Sequence, residues 1–267
     1  MAWSVFRDTM RYTWRMTLIW GLGFMAMMAL VLQLSPALNG LPMVELLESL
    51  PPWMMAMAGV SDPQIMATVE GLIVMGVFGK LALLFAAYPV VMGLRVTAAE
   101  ETEGTMDVML SLPLPRWRVI FEKFIAYSLN VLILMAMTVI GLYVGRLGVS
   151  IELDVNKLVL VTATVIPVMI FLLALTTFTG AVFSRRQLVM TIITVYIVFS
   201  FAIQTVGPMV DAPWMDAIES ISIFTYYDVE TTLVTGITQW HVSLMLGLSV
   251  VLIAVSFFNF ERRDIAV

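Results

Sequence analysis

Six long stretches of the chain carry almost no charge, and this constrains the fold more than any motif. Asp, Glu, Lys and Arg are missing from 16–44, 124–145, 158–184, 187–210 and 231–260, and 71–94 holds a single charge, Lys80. A bilayer core about 30 Å thick is crossed by about 20 mostly apolar residues in a helix, and each run is long enough. A soluble alternative needs six helices buried on every side, which a chain of 267 residues cannot cover. Composition agrees, with 61% hydrophobic and 12% charged residues against about 45–50% and about 25% in soluble domains. The reading is an all-α integral membrane protein with six transmembrane helices, a single membrane domain over 1–267.

The bases orient it. Of the 14 Lys and Arg, eleven fall on one side: Arg7, Arg11 and Arg15 before the first span, Arg95, Arg116, Arg118 and Lys123 around the second connection, Arg185 and Arg186 around the fourth, and Arg262 and Arg263 after the last. The other side has Arg146 and Lys157, and its last loop, 208–240, holds five acids and no base. Basic loops stay in the cytoplasm, so both termini are expected inside. The start does not read as a cleavable signal peptide, because its apolar run is too long and has no small-residue cleavage site. With no cysteine, disulfides and thiolate metal sites are excluded.

Three connecting segments have structure of their own. In WSVFRDTMRYTWRM, Trp3, Phe6, Met10 and Trp14 recur at helical spacing on one face and Arg7, Arg11 and Arg15 on another. This predicts an amphipathic helix over 1–15 lying in the cytoplasmic interface. In the first outer loop, Met43, Leu46, Leu47 and Leu50 share a face with Glu45 and Glu48 turned away, a short interfacial helix. In 208–240, Trp214, Phe224, Tyr226 and Tyr227 suggest aromatic anchoring at the outer interface.

The most punctuated segment is ETEGTMDVMLSLPLPRWRVIFEKF, 101–124. The second span runs out through Glu100, Glu101 and Glu103 until Gly104 ends it. Thr105 caps a new short helix with Asp107 in its first turn, where negative charge meets the positive end of the helix dipole. Met106, Met109 and Leu110 share one face of that helix, and Pro113 and Pro115 close it. Arg116, Trp117 and Arg118 then mark re-entry at headgroup depth. A cytoplasmic loop over 99–118 that holds an exposed short helix with an apolar face toward the cytosol is suited to transmit force to or from a cytosolic partner.

Glu100–Lys123, read as E-x-x-x-G-T-M-D-x-x-L-S-L-P-L-P-R-W-R-x-x-x-x-K, resembles the signature of ABC-2 type permeases, the membrane subunits of many bacterial and archaeal ABC exporters. FTGAVFSRRQ (178–187), SIFTYYDVETTLVTG (222–236) and F-x-R-R-D-I (Phe260–Ile265) are similar to further parts of that family, so the resemblance covers the whole chain. It implies a permease half in a prokaryotic cell membrane that pairs with a second permease, identical or homologous, and with two cytosolic ABC ATPase subunits. The short helix after Gly104 would be the coupling helix that docks on the ATPase. ATP and Mg would be bound by those partners and no cofactor by this chain.

The residues independently exclude an internal motor. A phosphate-binding loop needs G-x-x-x-x-G-K-[ST]; around Gly79 and Lys80, Val74 stands in place of the first glycine and Leu81 in place of the hydroxyl. Lys80 itself reads two ways: lining a translocation path or meeting a partner's acid, or snorkelling outward from a span that starts later. His241, the sole histidine, reads as an interfacial residue, since no H-E-x-x-H or ligand cluster accompanies it. Pro167 is expected to kink the fourth span, Gly141 and Gly145 form a G-x-x-x-G that permits close helix packing, and the 22 methionines are scattered as apolar filler rather than as a copper path. The rival class is an ATP-independent secondary transporter or channel. It predicts acids deep in spans or two similar halves, and neither is visible.

Overall fold

The computed structural model describes residues 3–37, 43–51, 54–55, 63–66, 68–80, 82–98, 115–149, 153–183, 185–210 and 212–262. Among these there is no strand, and six helices are long and apolar enough to cross a membrane. They are α1 (Ser4–Leu34), α2 (Val69–Val96), α3 (Arg116–Arg146), α4 (Val155–Val182), α5 (Arg186–Val206) and α6 (Gln239–Arg262). The charge-free runs therefore give the number of spans and their order.

α1 differs from expectation. Its N-terminal turns are helical, but they continue without a break into the first span instead of forming a separate helix in the membrane plane. At 1.5 Å per residue its 31 residues extend about 46 Å, well beyond an apolar core about 30 Å thick. The reason lies in which face packs. Val5, Thr9, Thr13, Thr17, Gly21, Phe24, Met28 and Leu32 form one buried stripe at steps of three and four, and nothing in it interrupts the helix where lipid would begin. The threonines are compatible with that stripe because each hydroxyl donates to the carbonyl four residues back, Thr9 to Val5 and Thr13 to Thr9, both at 2.8 Å.

The spans form two parallel pairs. Along α1 and α3, Phe6 faces Glu122, Thr13 faces Asn130, Gly21 faces Met137, Met25 faces Gly141 and Ala29 faces Gly145. Each partner lies 116 or 117 positions further along the chain, so the register holds over almost the whole length. The G-x-x-x-G motif is the seam. A Cβ on Gly141 would lie 2.8 Å from the Met25 Cα, and one on Gly145 2.9 Å from the Ala29 Cα, so only glycine lets the backbones approach. α2 and α4 form the second pair. A Cβ on Gly93 would meet the Thr176 Cβ at 2.6 Å, and one on Gly180 would overlap the Thr97 hydroxyl. α4 is the central helix, touching α2, α3, α5 and α6. Its buried positions run round its circumference, from Leu158 through Ala181.

This second pair carries the irregularities. α2 begins at Val69, capped by the Thr68 hydroxyl accepting from the Gly71 amide at 3.0 Å, and turns π-helical from Val74 to Lys80. Pro89 lies within α2 and Pro167 within α4. α5, by contrast, buries one stripe, Val189, Ile193, Ile197, Ser200 and Ile203, and presents Val195, Val198 and Phe199 outward.

The connections opposite the termini are built segments. The short helix Met43–Glu48 buries Leu47 against Leu50 and leaves Glu45 and Glu48 exposed, as its spacing predicts. Glu70 accepts from the Asp154 amide at 2.8 Å and ties the start of α2 to the start of α4. Within 208–240 two short helices form, Pro213–Glu219 and Val229–Thr235. Of the aromatics expected at the outer interface, Trp214 is exposed, whereas Phe224 and Tyr227 are buried. Phe224 packs edge-on against Phe201 of α5 (5.8 Å) and Tyr227 (6.3 Å), so this loop folds back as a plug between spans. Burial pushes the Tyr227 phenol far above its ordinary pKa, so it stays protonated.

Candidate coupling site

The segment that carries the force-transmission reading leaves α2 after Ala98 and re-enters at α3. Glu100, Glu101, Glu103, Gly104, Thr105, Met106, Asp107, Met109, Leu110 and Pro113 lie outside the described residues, as does the short helix expected to contain them. Arg116 is the first residue of α3, two positions before Arg118, with Pro115 before it in extended backbone that starts the helix without a side-chain cap. What is described is what the segment joins: the end of the α2/α4 pair and the beginning of the α1/α3 pair.

Both ends are held firmly. On the α2 side, the Gly93–Thr176 and Thr97–Gly180 contacts lie in the last two turns before the segment. On the α3 side, the first turns carry a cluster that sequence reasoning missed. Glu122 is 2% exposed although it stands among bases. Its Oε1 accepts from Arg118 Nε at 2.6 Å and its Oε2 from the Phe6 amide at 3.1 Å. Helix α1 has no side-chain cap of its own, since Trp3 at its N-cap sits in the left-handed region with φ 63°. Glu122 supplies the carboxylate that a helix N-terminus favours, from a different helix. The available signal was the i, i+4 spacing of Arg118 and Glu122.

The same helix ends carry a set of packed rings. Trp3 packs on Phe6 (5.6 Å) and Phe121 (6.2 Å), and Trp117, Phe121 and Phe257 of α6 form a triangle with 6.2–6.4 Å sides. Deeper, Asn130 Nδ2 donates to the Thr13 hydroxyl at 3.0 Å, and the Thr17 and Tyr88 hydroxyls share a hydrogen bond of 3.0 Å. These buried bonds link α1, α2 and α3 within the apolar layer, where an unpaired polar group is costly.

Lys80 ends the π-helical stretch, twelve residues into α2, so the span does not start later than the sequence suggests. Its side chain lies outside the described residues. π-Helical turns concentrate at functional positions, which keeps this part of α2 a candidate for the path. His241 packs edge-on against Tyr226 at 5.6 Å and lines a small cleft with Thr164, Pro167, Asp228 and Met245 between the N-terminal halves of α4 and α6. Among the described residues, no three His, Asp or Glu converge as metal ligands.

The family model described as ABC-2 family transporter protein matches residues 2–265, almost the full chain. No curated protein and no solved structure matches it.

Proposed function

The chain belongs to the ABC-2 transporter family, which makes it the multi-pass membrane subunit of an ABC transporter in the cell membrane, and on that premise we propose how it works. It is one permease half of an ATP-driven exporter. A second copy or a homologous chain completes the path, and two cytosolic ATPase subunits bind ATP and Mg. Both termini and the 99–118 segment face the cytoplasm. Glu100–Leu110 dock on the ATPase, with Met106, Met109 and Leu110 as the apolar contact and Gly104 and Pro113 as the breaks that let the segment project.

The observation that supports this most is the architecture on either side of the segment. α2 is fixed to α4, and α3 to α1, each in a constant parallel register. A push on 99–114 therefore acts on two helix pairs at once and changes the angle between them. That is the motion needed to open a path alternately to either side, and it uses packed bodies whose arrangement is discrete. The exposed row Val195, Val198 and Phe199 on α5 offers apolar area to the second half or to lipid.

Co-expression with its cognate ATPase tests the reading. The two should purify as a complex that couples ATP hydrolysis to transport in proteoliposomes. Met109→Asp should leave insertion and the melting temperature unchanged while transport per ATP falls about ten-fold or more, the size of a typical coupling energy. Transport at the full rate without the ATPase would sink it.

A further inference from the structure

Given that reading, the segment pushes on the start of α3, and the push has to reach the start of α1 and the end of α6. We propose that Glu122 is a positioning residue that makes α1 move with α3, through a clasp whose rings extend to α6. Three observations carry this. The Glu122 carboxylate is shared, one oxygen to Arg118, within one turn of Pro115, and the other to the Phe6 amide of α1. It is buried at 2% exposure in a helix end rich in bases, a position where an acid is retained only if its bonds are satisfied. The five rings of Trp3, Phe6, Trp117, Phe121 and Phe257 form a connected set with centroid separations of 5.6–6.4 Å that joins the starts of α1 and α3 to α6. A push entering at Pro115 reaches Arg118 and Glu122 within two turns, and the bond to Phe6 carries it to the N-terminus of α1. Trp3, in its left-handed conformation, sets its ring against both Phe6 of α1 and Phe121 of α3.

The clasp is tested at two levels. Hydrogen exchange reads it directly: Glu122→Ala should speed exchange of the first α1 amides about ten-fold, with Glu122→Gln, which can still accept from Phe6, in between. In the complex with its ATPase, Glu122→Ala should hydrolyse ATP at the normal rate but move about ten-fold less cargo per ATP. The chain has no cysteine, so Trp3→Cys with Phe121→Cys gives a unique pair. Joining that pair with a short bifunctional thiol reagent should restore transport to Glu122→Ala and leave the parent's transport intact. Unchanged exchange in Glu122→Ala overturns the clasp. Lost protection with normal transport per ATP overturns its role in coupling, and so does arrest of the parent by the cross-link. If the parent chain itself shows no ATPase-dependent transport, the exporter reading fails instead, and the exchange result still decides the clasp.

Discussion

The two parallel helix pairs are joined by similar means and built for different ends. Between α1 and α3, glycines at 141 and 145 bring backbones into contact, Asn130 and Glu122 add cross-helix hydrogen bonds, and no proline or π-turn interrupts either helix. Between α2 and α4 the glycine contacts, Gly93–Thr176 and Thr97–Gly180, lie at one end, and the Glu70–Asp154 hydrogen bond ties the other. Between these ties α2 turns π-helical and passes through Pro89, while α4 passes through Pro167. Proline removes an intrahelical hydrogen bond and a π-turn shifts the ladder, so bending is concentrated in this pair. One pair is an unbroken strut; the other is a lever whose breaks lie between two ties, one of them next to the connection through which the proposed push would enter.

The largest effect should come from breaking the strut. Gly141→Leu places a side chain where Met25 backbone lies 2.8 Å from a Cβ, so overpacking should cost about 3 kcal/mol and abolish a cooperative melt in detergent. Asn130→Ala removes the bond to Thr13 and should cost about 1 kcal/mol, since interhelical hydrogen bonds in membranes are modest, lowering the melting temperature by a few degrees without affecting ATP coupling. Pro167→Ala sharpens the contrast. It restores an N–H to α4, so stability should change by less than about 1 kcal/mol, while the transport rate falls because the lever has stiffened. If Pro167→Ala transports normally, bending in α4 is not part of the cycle.

Much of this was legible. Six spans follow from the charge-free runs because lipid penalises charge along the whole length of a helix. The Gly141–Gly145 seam was visible because its spacing encodes one face. Helix ends were legible unevenly. The start of α3 at Arg116 could be read from its Arg-Trp-Arg re-entry, whereas the unbroken run of α1 from Ser4 could not. Glu122 as the cap of α1 could not be read, since its partner is 116 residues away and carries the signal in a backbone amide. Phe224 and Tyr227 look like interfacial aromatics in sequence, and only the fold shows the loop turned inward.

The claim underneath all of this is that a separate ATPase drives the chain through 99–114. Because the parent lacks cysteine, a Met109→Cys variant carrying a photoactivatable thiol probe addresses it directly in native membranes. The account predicts one cross-linked product containing the ATPase, with a yield that changes when ATP is replaced by ADP. No ATPase in the product, alongside undiminished transport by the same membranes, would contradict it.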